Sequence, residues 1–455
     1  MDNRSILLQQ LFKEGSELLQ SGHSAEALVR FQAALNIESS SATLYLHAGA
    51  ALHDLGGYEE AVDCYRNALN AEPGMGQAYN NMGNSLMALG RFVEAADCFL
   101  MSSELLQTSP VPLAARATAL QALGRIAEAE SDCRRALQLD PAFAAAHWNL
   151  ALNLLLQGRY IEGWPEYEWR WRKPDFTSPC RHTDIPLWDG SPLNGHTILL
   201  HAEQGFGDAI QFIRYIPLVA GCGGNIILEC HPQLVALFKS IKGVKSVVPF
   251  GEQLPSCEYQ APFLTLPRIF GTTLENIPAC PHFLVPSEQL VKWQQRTFFY
   301  SGAKVGIVWA GSTIHRNDGF RSLSLTLLSS FAESSNINIF SLQMGDARQH
   351  LKLSPLAERV IDLTDQIHDF VDTAALIEQL DLVISVDTAV VHLAGSLGKQ
   401  AWLMLPTAPD WRWLLERNDS PWYPTIRIFR QKRSGDWADV INRVQTALDV
   451  LIPQK

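Results

Sequence analysis

Long apolar runs are missing from this chain. No stretch of about 18 consecutive apolar residues occurs, and the opening MDNRSILLQQ lacks the basic start, long apolar core and small-residue cleavage site of a secretory signal. The expectation is a cytoplasmic protein with no transmembrane segment. An excess of positive charge is missing too. Thirty-six Lys and Arg stand against 47 Asp and Glu, a formal net charge of −11. That argues against nucleic acid as a partner, because duplex affinity comes mostly from cations that neutralise phosphates. The eight cysteines stand singly, with no CxxC pair and no histidine cluster at zinc spacing. They read as small apolar fillers in a reducing compartment, and no metal is expected. At 455 residues, with 18% charged and 47% hydrophobic, the chain reads as globular and too long for one ordinary core.

What is present in the first third is a period. Gly22, Gly56, Gly90, Gly124 and Gly158 fall 34 residues apart. Ala27, Ala61, Ala95 and Ala129 follow at a constant offset, with Gly163 in the fifth unit, and Phe31, Tyr65, Phe99 and Cys133 come four residues later. Pro73 and Pro141 close two of the units, and Cys64 and Cys98 share one repeat position. Glycine permits the tight turn between two helices, alanine lets them approach, and the aromatic fills the gap to the next unit. This pattern resembles the tetratricopeptide repeat, a helix, turn and helix unit. The resemblance implies an α-helical solenoid over residues 5–171 whose groove binds a protein or peptide partner. The alternative is that the repeats only cap or stabilise the rest of the chain.

Tyr160, Trp164, Tyr167, Trp169 and Trp171 crowd the end of the array. They read as a hydrophobic seal or, alternatively, as a stacking surface for sugar or peptide. A proline-rich linker at 172–196 comes next, holding Pro179, Pro186 and Pro192. Short apolar strands then alternate with helices: TILLH, NIILE and KSVVPF in one half (197–290), then KVGIVWAG, INIFSLQ, RVIDLT, DLVISVD and AWLMLP in a second (291–455). Two doubly wound, Rossmann-like α/β halves facing a cleft form the economical architecture.

The stretch TILLHAEQGFGDAIQFIRYIP organises the first half. It reads as a strand, a loop with Gly205 and Gly207, and a helix that opens near Asp208, which is where open α/β sheets place ligands. A helix N-terminus favours ionised Asp208, a plausible acceptor of a proton from an attacking hydroxyl; a simple helix cap is the alternative. Glu203, Gln204 and His201 flank the same loop as weaker candidates for acceptor contact. A dinucleotide fingerprint built on Gly205, Gly207 and Glu229 fails, because Ile210 stands where the third glycine belongs and Asp208 stands where pyrophosphate would approach.

HAEQGFGDAIQFIRYIP and DLVISVDTAVVHLAGSLG resemble the N- and C-terminal motifs of bacterial heptosyltransferase-like enzymes, which have the GT-B fold. With HRNDGFRS, DWRWLL and DSPWYPTIRIFRQ, residues 160–445 are similar to the glycosyltransferase domain of bacterial tetratricopeptide proteins. More distantly, the arrangement is like that of the O-GlcNAc transferases. The resemblance implies a metal-independent, inverting glycosyltransferase that needs no cofactor and uses a nucleotide-diphosphate sugar as co-substrate. It gives Asp208 the role of general base. It places the donor diphosphate at the helix opened by Asp387 and Thr388, with His392 one turn on and Gln343 beside the nucleoside. Arg316 and Arg321, the latter near a position where the family often has lysine, suit the diphosphate by bidentate pairing. The tryptophans of DWRW and DSPWYP read equally as sugar-pocket lining or as anchors, and stay outside the candidate site. The rival from another class is a non-catalytic scaffold with a nucleotide-sensing or packing α/β module.

Overall fold

The computed structural model describes residues 3–313, 318–333 and 336–452. The chain divides into two compact units, Met1–Leu154 and Leu155–Lys455.

The first unit is a run of antiparallel helix pairs: α1 (Asn3–Gln20) with α2 (Ser24–Ile37), α3 (Ala42–Asp54) with α4 (Tyr58–Ala71), α5 (Gly76–Ala88) with α6 (Phe92–Leu105) and α7 (Val111–Ala122) with α8 (Ile126–Leu139). The last helix of the array, α9 (Ala144–Leu156), runs across the boundary at Leu155, and α10 (Tyr160–Tyr167) belongs to the second unit. The five periodic glycines sit at φ between 73° and 80°, a left-handed turn that side chains other than glycine rarely adopt. Ala27, Ala61, Ala95 and Ala129 are wholly buried. Each aromatic lies on a glycine of the preceding helix, so that a Cβ at Gly15, Gly49 or Gly83 would come within 2.7 Å of the ring of Phe31, Tyr65 or Phe99. Cys133, which takes the aromatic position in α8, shares its buried cluster with Ala117, which takes the glycine position in α7. The smaller side chain on one helix is matched by the larger one on the other, as close packing requires.

The second unit holds two parallel sheets. The first has the order β3-β2-β1-β4, built from β1 (Thr197–His201), β2 (Asn225–Cys230), β3 (Val244–Pro249) and β4 (Tyr259–Pro262). The second has the order β10-β9-β8-β5-β6-β7, built from β5 (Ala303–Val308), β6 (Ile337–Ser341), β7 (Val360–Asp362), β8 (Leu382–Val386), β9 (Ala401–Leu405) and β10 (Ile426–Arg430). Counted from its own first strand, each sheet runs outward in one direction and then reverses. The reversal falls between β1 and β4 in one sheet and between β5 and β8 in the other, and such switch points open a crevice at the strands' carboxyl ends. β8 and β9 are buried along their whole length, as strands covered on both faces must be. The C-terminal helix Trp437–Leu451 lays Trp437, Val440, Ile441, Val444 and Leu448 into the core of the second sheet.

The second unit begins at Leu155, close to where the repeat pattern ends in sequence and before residue 171, the expected solenoid boundary. The aromatic cluster accounts for the difference. Tyr160 and Trp164 pack edge-on against Trp411, and the Trp422 indole donates to Tyr160 Oη at 2.9 Å. The proline-rich linker is also tied down, with Trp188 N donating to Gln260 O of β4 at 2.9 Å.

Candidate functional site

The two motifs singled out in the sequence meet at the carboxyl ends of the strands. After β1 the chain turns through Gln204, held at φ 63° with its N–H on Ser178 Oγ at 2.8 Å, and enters the short helix α11 (Phe206–Phe212). After β8 it turns through Asp387 and Thr388 into the helix Ala389–Ser396. Gly207 of α11 lies directly on His392 of that second helix: a Cβ at Gly207 would sit 2.9 Å from His392 Cδ2 and 3.7 Å from Ala389 Cα. Only glycine admits this approach.

Asp208 sits in the first turn of α11. Its Oδ2 accepts from Gly205 N–H at 3.0 Å, and its Oδ1 pairs with Arg412 Nη2. The same arginine donates through Nη1 to Asp410 Oδ1 at 2.8 Å and through Nε to Gln211 Oε1 at 2.6 Å. Burial alone would lower the Arg412 pKa, but Asp410 and Asp208 outweigh it and hold the guanidinium charged. A carboxylate offers about four lone-pair sites, so Asp208 retains acceptor capacity beyond these two contacts.

His392 is buried, with Nε2 3.7 Å from Asp387 Oδ1 and Nδ1 3.0 Å from Tyr423 Oη. The Trp413 ring lies tilted over it at 5.2 Å. Burial pushes the Asp387 carboxyl upward, yet His392 and Arg321 outweigh it and hold the group below its ordinary value. Arg321 comes after the loop that leaves β5, where a side chain at Gly311 would collide with its guanidinium; its Nε is 3.2 Å from Asp318 Oδ1. Thr388 occupies the N-cap of the helix Ala389–Ser396 without a side-chain capping bond. Its hydroxyl lies instead 3.1 Å from Ser385 Oγ. Arg316 lies outside the described residues.

Two candidates turn out to brace the site. Gln343 accepts from Trp309 N and Ala310 N at 3.1 and 2.9 Å, and donates to Ala310 O and Met344 O at 3.0 and 2.9 Å. Its amide is fully engaged in holding the turn after β5. Glu203 forms a two-pronged pair with the wholly buried Arg170, at 3.0 and 2.9 Å, and accepts from Leu264 N at 3.1 Å. Burial would lower the Arg170 pKa, but Glu203 and Glu168 keep it charged. His201 Nε2 faces Gln260 Oε1 at 2.9 Å.

Sequence reasoning left Arg412, Trp413 and Tyr423 outside the site. The available signal was a single arginine between two tryptophans, a cation set within a run otherwise suited to burial.

A family model described as tetratricopeptide repeat matches residues 48–102 and 114–162. Among curated proteins, Protein FlbA of Caulobacter vibrioides is 28% identical over 363 residues, covering 73% of this chain and 60% of that protein. The chain thus spans less than two thirds of that relative's length. Similar solved structures include Pseudomonas aeruginosa pilF, 21% identical over 37% of this chain and 77% of that one, with a TM-score of 0.35. YrrB, described as a TPR protein with an unusual peptide-binding site, is 22% identical over 37% of this chain and 89% of that one, with a TM-score of 0.31. The chain carries tetratricopeptide repeats and after them an α/β region of parallel sheets. Among the described residues no helix is long and apolar enough to cross a membrane.

Proposed function

We propose that the α/β unit is a GT-B glycosyltransferase that moves a sugar from a nucleotide-diphosphate donor to an acceptor, a protein or peptide held by the repeats. The observation that carries this reading is the approach of Gly207, next to Asp208, to His392 and Ala389 of the helix that follows Asp387, two switch-point motifs about 180 residues apart in sequence, inside one compact unit. Two doubly wound sheets support the GT-B assignment.

In this reading, Asp208 takes the proton from the acceptor hydroxyl as its oxygen attacks the anomeric carbon. The bond from that carbon to the diphosphate breaks, and the leaving group gathers negative charge. Arg321 and the N–H groups opening the helix Ala389–Ser396, which no side chain caps, stabilise that charge. Asp387, steadied by His392, orients sugar hydroxyls. Arg412 fixes the carboxylate of Asp208 from the opposite half.

A thermal-shift screen against nucleoside diphosphates and their sugar conjugates tests the donor site. Ligand at about 100 times its Kd adds about 2.7 kcal/mol to the folded state, so one nucleotide should raise the Tm clearly in the wild type and not in Arg321→Ala. No shift with any nucleotide would favour the second reading, a scaffold whose α/β unit only packs. The engagement of Asp208 by Arg412 and Gly205 lends that reading its support.

A further inference from the structure

At the end of the strand that leads into the Asp208 loop lies a group of side chains that the proposed transfer chemistry does not use. β1 and β2 run parallel with His201 opposite Glu229. Register neighbours in a parallel pair point to the same face, about 5 Å apart. The two strands therefore set an imidazole next to a carboxylate at their carboxyl ends, both buried. The linker before β1 adds His182, held at φ 57° although it is not glycine. Such a conformation costs of order 1–3 kcal/mol and persists where the surroundings enforce it. One potential ligand atom from each of His182, His201 and Glu229 lies within 4.8 Å of the other two, the one such group of three among the described residues.

The state of each side chain suits a cation. His201 Nε2 faces the Gln260 carbonyl oxygen and so carries the proton, which leaves the Nδ1 lone pair buried with no partner. A neutral ring with its proton on Nε2 is the form that binds metal. Glu229 Oε2 accepts from Arg181 Nη1 at 2.8 Å and from His182 Nε2 at 2.7 Å. The bonds to Arg181 and to Gln260 lie outside the trio and fix the orientation of ligating groups, whereas the His182–Glu229 bond joins two of its members and gives way when both turn to a metal. A cavity of about 450 Å³, lined by Arg181, His201, Gln204 and Phe250, opens beside His201 and leaves room for a non-protein ligand.

We propose that His182, His201 and Glu229 form a divalent-metal site of the two-histidine, one-carboxylate type, selective for zinc and with its fourth position toward the cavity. No spacing pattern in the sequence hints at it, since the three ligands come from a linker and two strand ends at irregular intervals. The site does not depend on the glycosyltransferase reading.

The test uses the full chain, stripped with a chelator and then titrated with zinc alone against a chromophoric competitor. One zinc per chain is expected in the wild type and in Cys180→Ser, which removes the exposed neighbouring thiol. His201→Asn and Glu229→Gln should each weaken binding by at least about 10- to 100-fold. Because a ligand variant can fail to fold, cobalt loading of the wild type gives a second reading. Intense visible bands of tetrahedral cobalt support the site. Absence of stoichiometric zinc, octahedral cobalt bands only, or zinc retained undiminished in both folded ligand variants would overturn it.

Discussion

Gly207→Ala tests the junction of the two motifs. The new Cβ would stand 2.9 Å from His392 Cδ2 and 3.4 Å from Nε2, inside the 3.5–4.0 Å or so at which carbon atoms attract. The ring cannot retreat freely, because Tyr423 bonds its Nδ1 and Trp413 covers its face. Overpacking of this kind costs about 1–3 kcal/mol. Helix propensity returns up to about 1 kcal/mol when glycine becomes alanine, so the net loss should be about 0–2 kcal/mol. With His392→Ala in the background the obstacle is gone, and Gly207→Ala should become neutral or stabilising by up to about 1 kcal/mol. The coupling energy is then about 1–3 kcal/mol, well above the ~0.5 kcal/mol scatter of independent sites. Urea unfolding followed by tryptophan fluorescence reads it, since every tryptophan except Trp148 lies in Leu155–Lys455. Equal cost in both backgrounds would refute the contact.

Three further outcomes rest on individual side chains. Arg412→Met should cost about 2–3 kcal/mol in urea unfolding, less than the 3–5 kcal/mol or so of a fully buried pair because Asp208 and Asp410 stay partly exposed; a loss below about 0.5 kcal/mol would show the pair to be incidental. Burial pushes the thiols of Cys98, Cys133 and Cys230 up to about 11, 12 and 12. Alkylation at pH 8 with subsequent peptide mapping should therefore label exposed Cys180 first and reach these three only after unfolding. Asp372 is held below its ordinary value of 3.8, against burial, by Lys292, the Trp293 indole and His368 N–H. A depressed carboxyl stabilises above its unfolded value and loses that contribution as pH falls through its folded one. The stability gap between wild type and Asp372→Asn should accordingly be level at neutral pH and shrink below pH 3.8; a gap unchanged down to pH 2 would contradict the assignment.

The parts of this molecule that could be read from its sequence are those written in local chemistry. The repeat glycines carry their left-handed turns with them, and eight of the ten strands among the described residues fall on apolar runs. β4 escaped because it is four residues long and ends in proline, and β10 because IRIFR alternates behind a cluster of aromatics. The site was legible as motifs but not as contacts. Nothing local to Glu203 announces that Arg170 claims it from the linker side, and nothing in IFSLQ announces that Gln343 braces the turn after β5. Long-range partners decide whether a polar residue at a strand end faces ligand or supports the loop that does.

The central claim is catalysis by Asp208, and release of nucleoside diphosphate from the nucleotide sugar that stabilises the protein tests it most directly. With acceptor peptide present, the wild type should release diphosphate in step with glycosylation. Asp208→Asn should slow release by about 10²- to 10⁴-fold, the usual share of a general base, while the donor still raises its Tm. Undiminished release in Asp208→Asn, or no release from any nucleotide sugar by a wild type that binds none of them, would contradict the account.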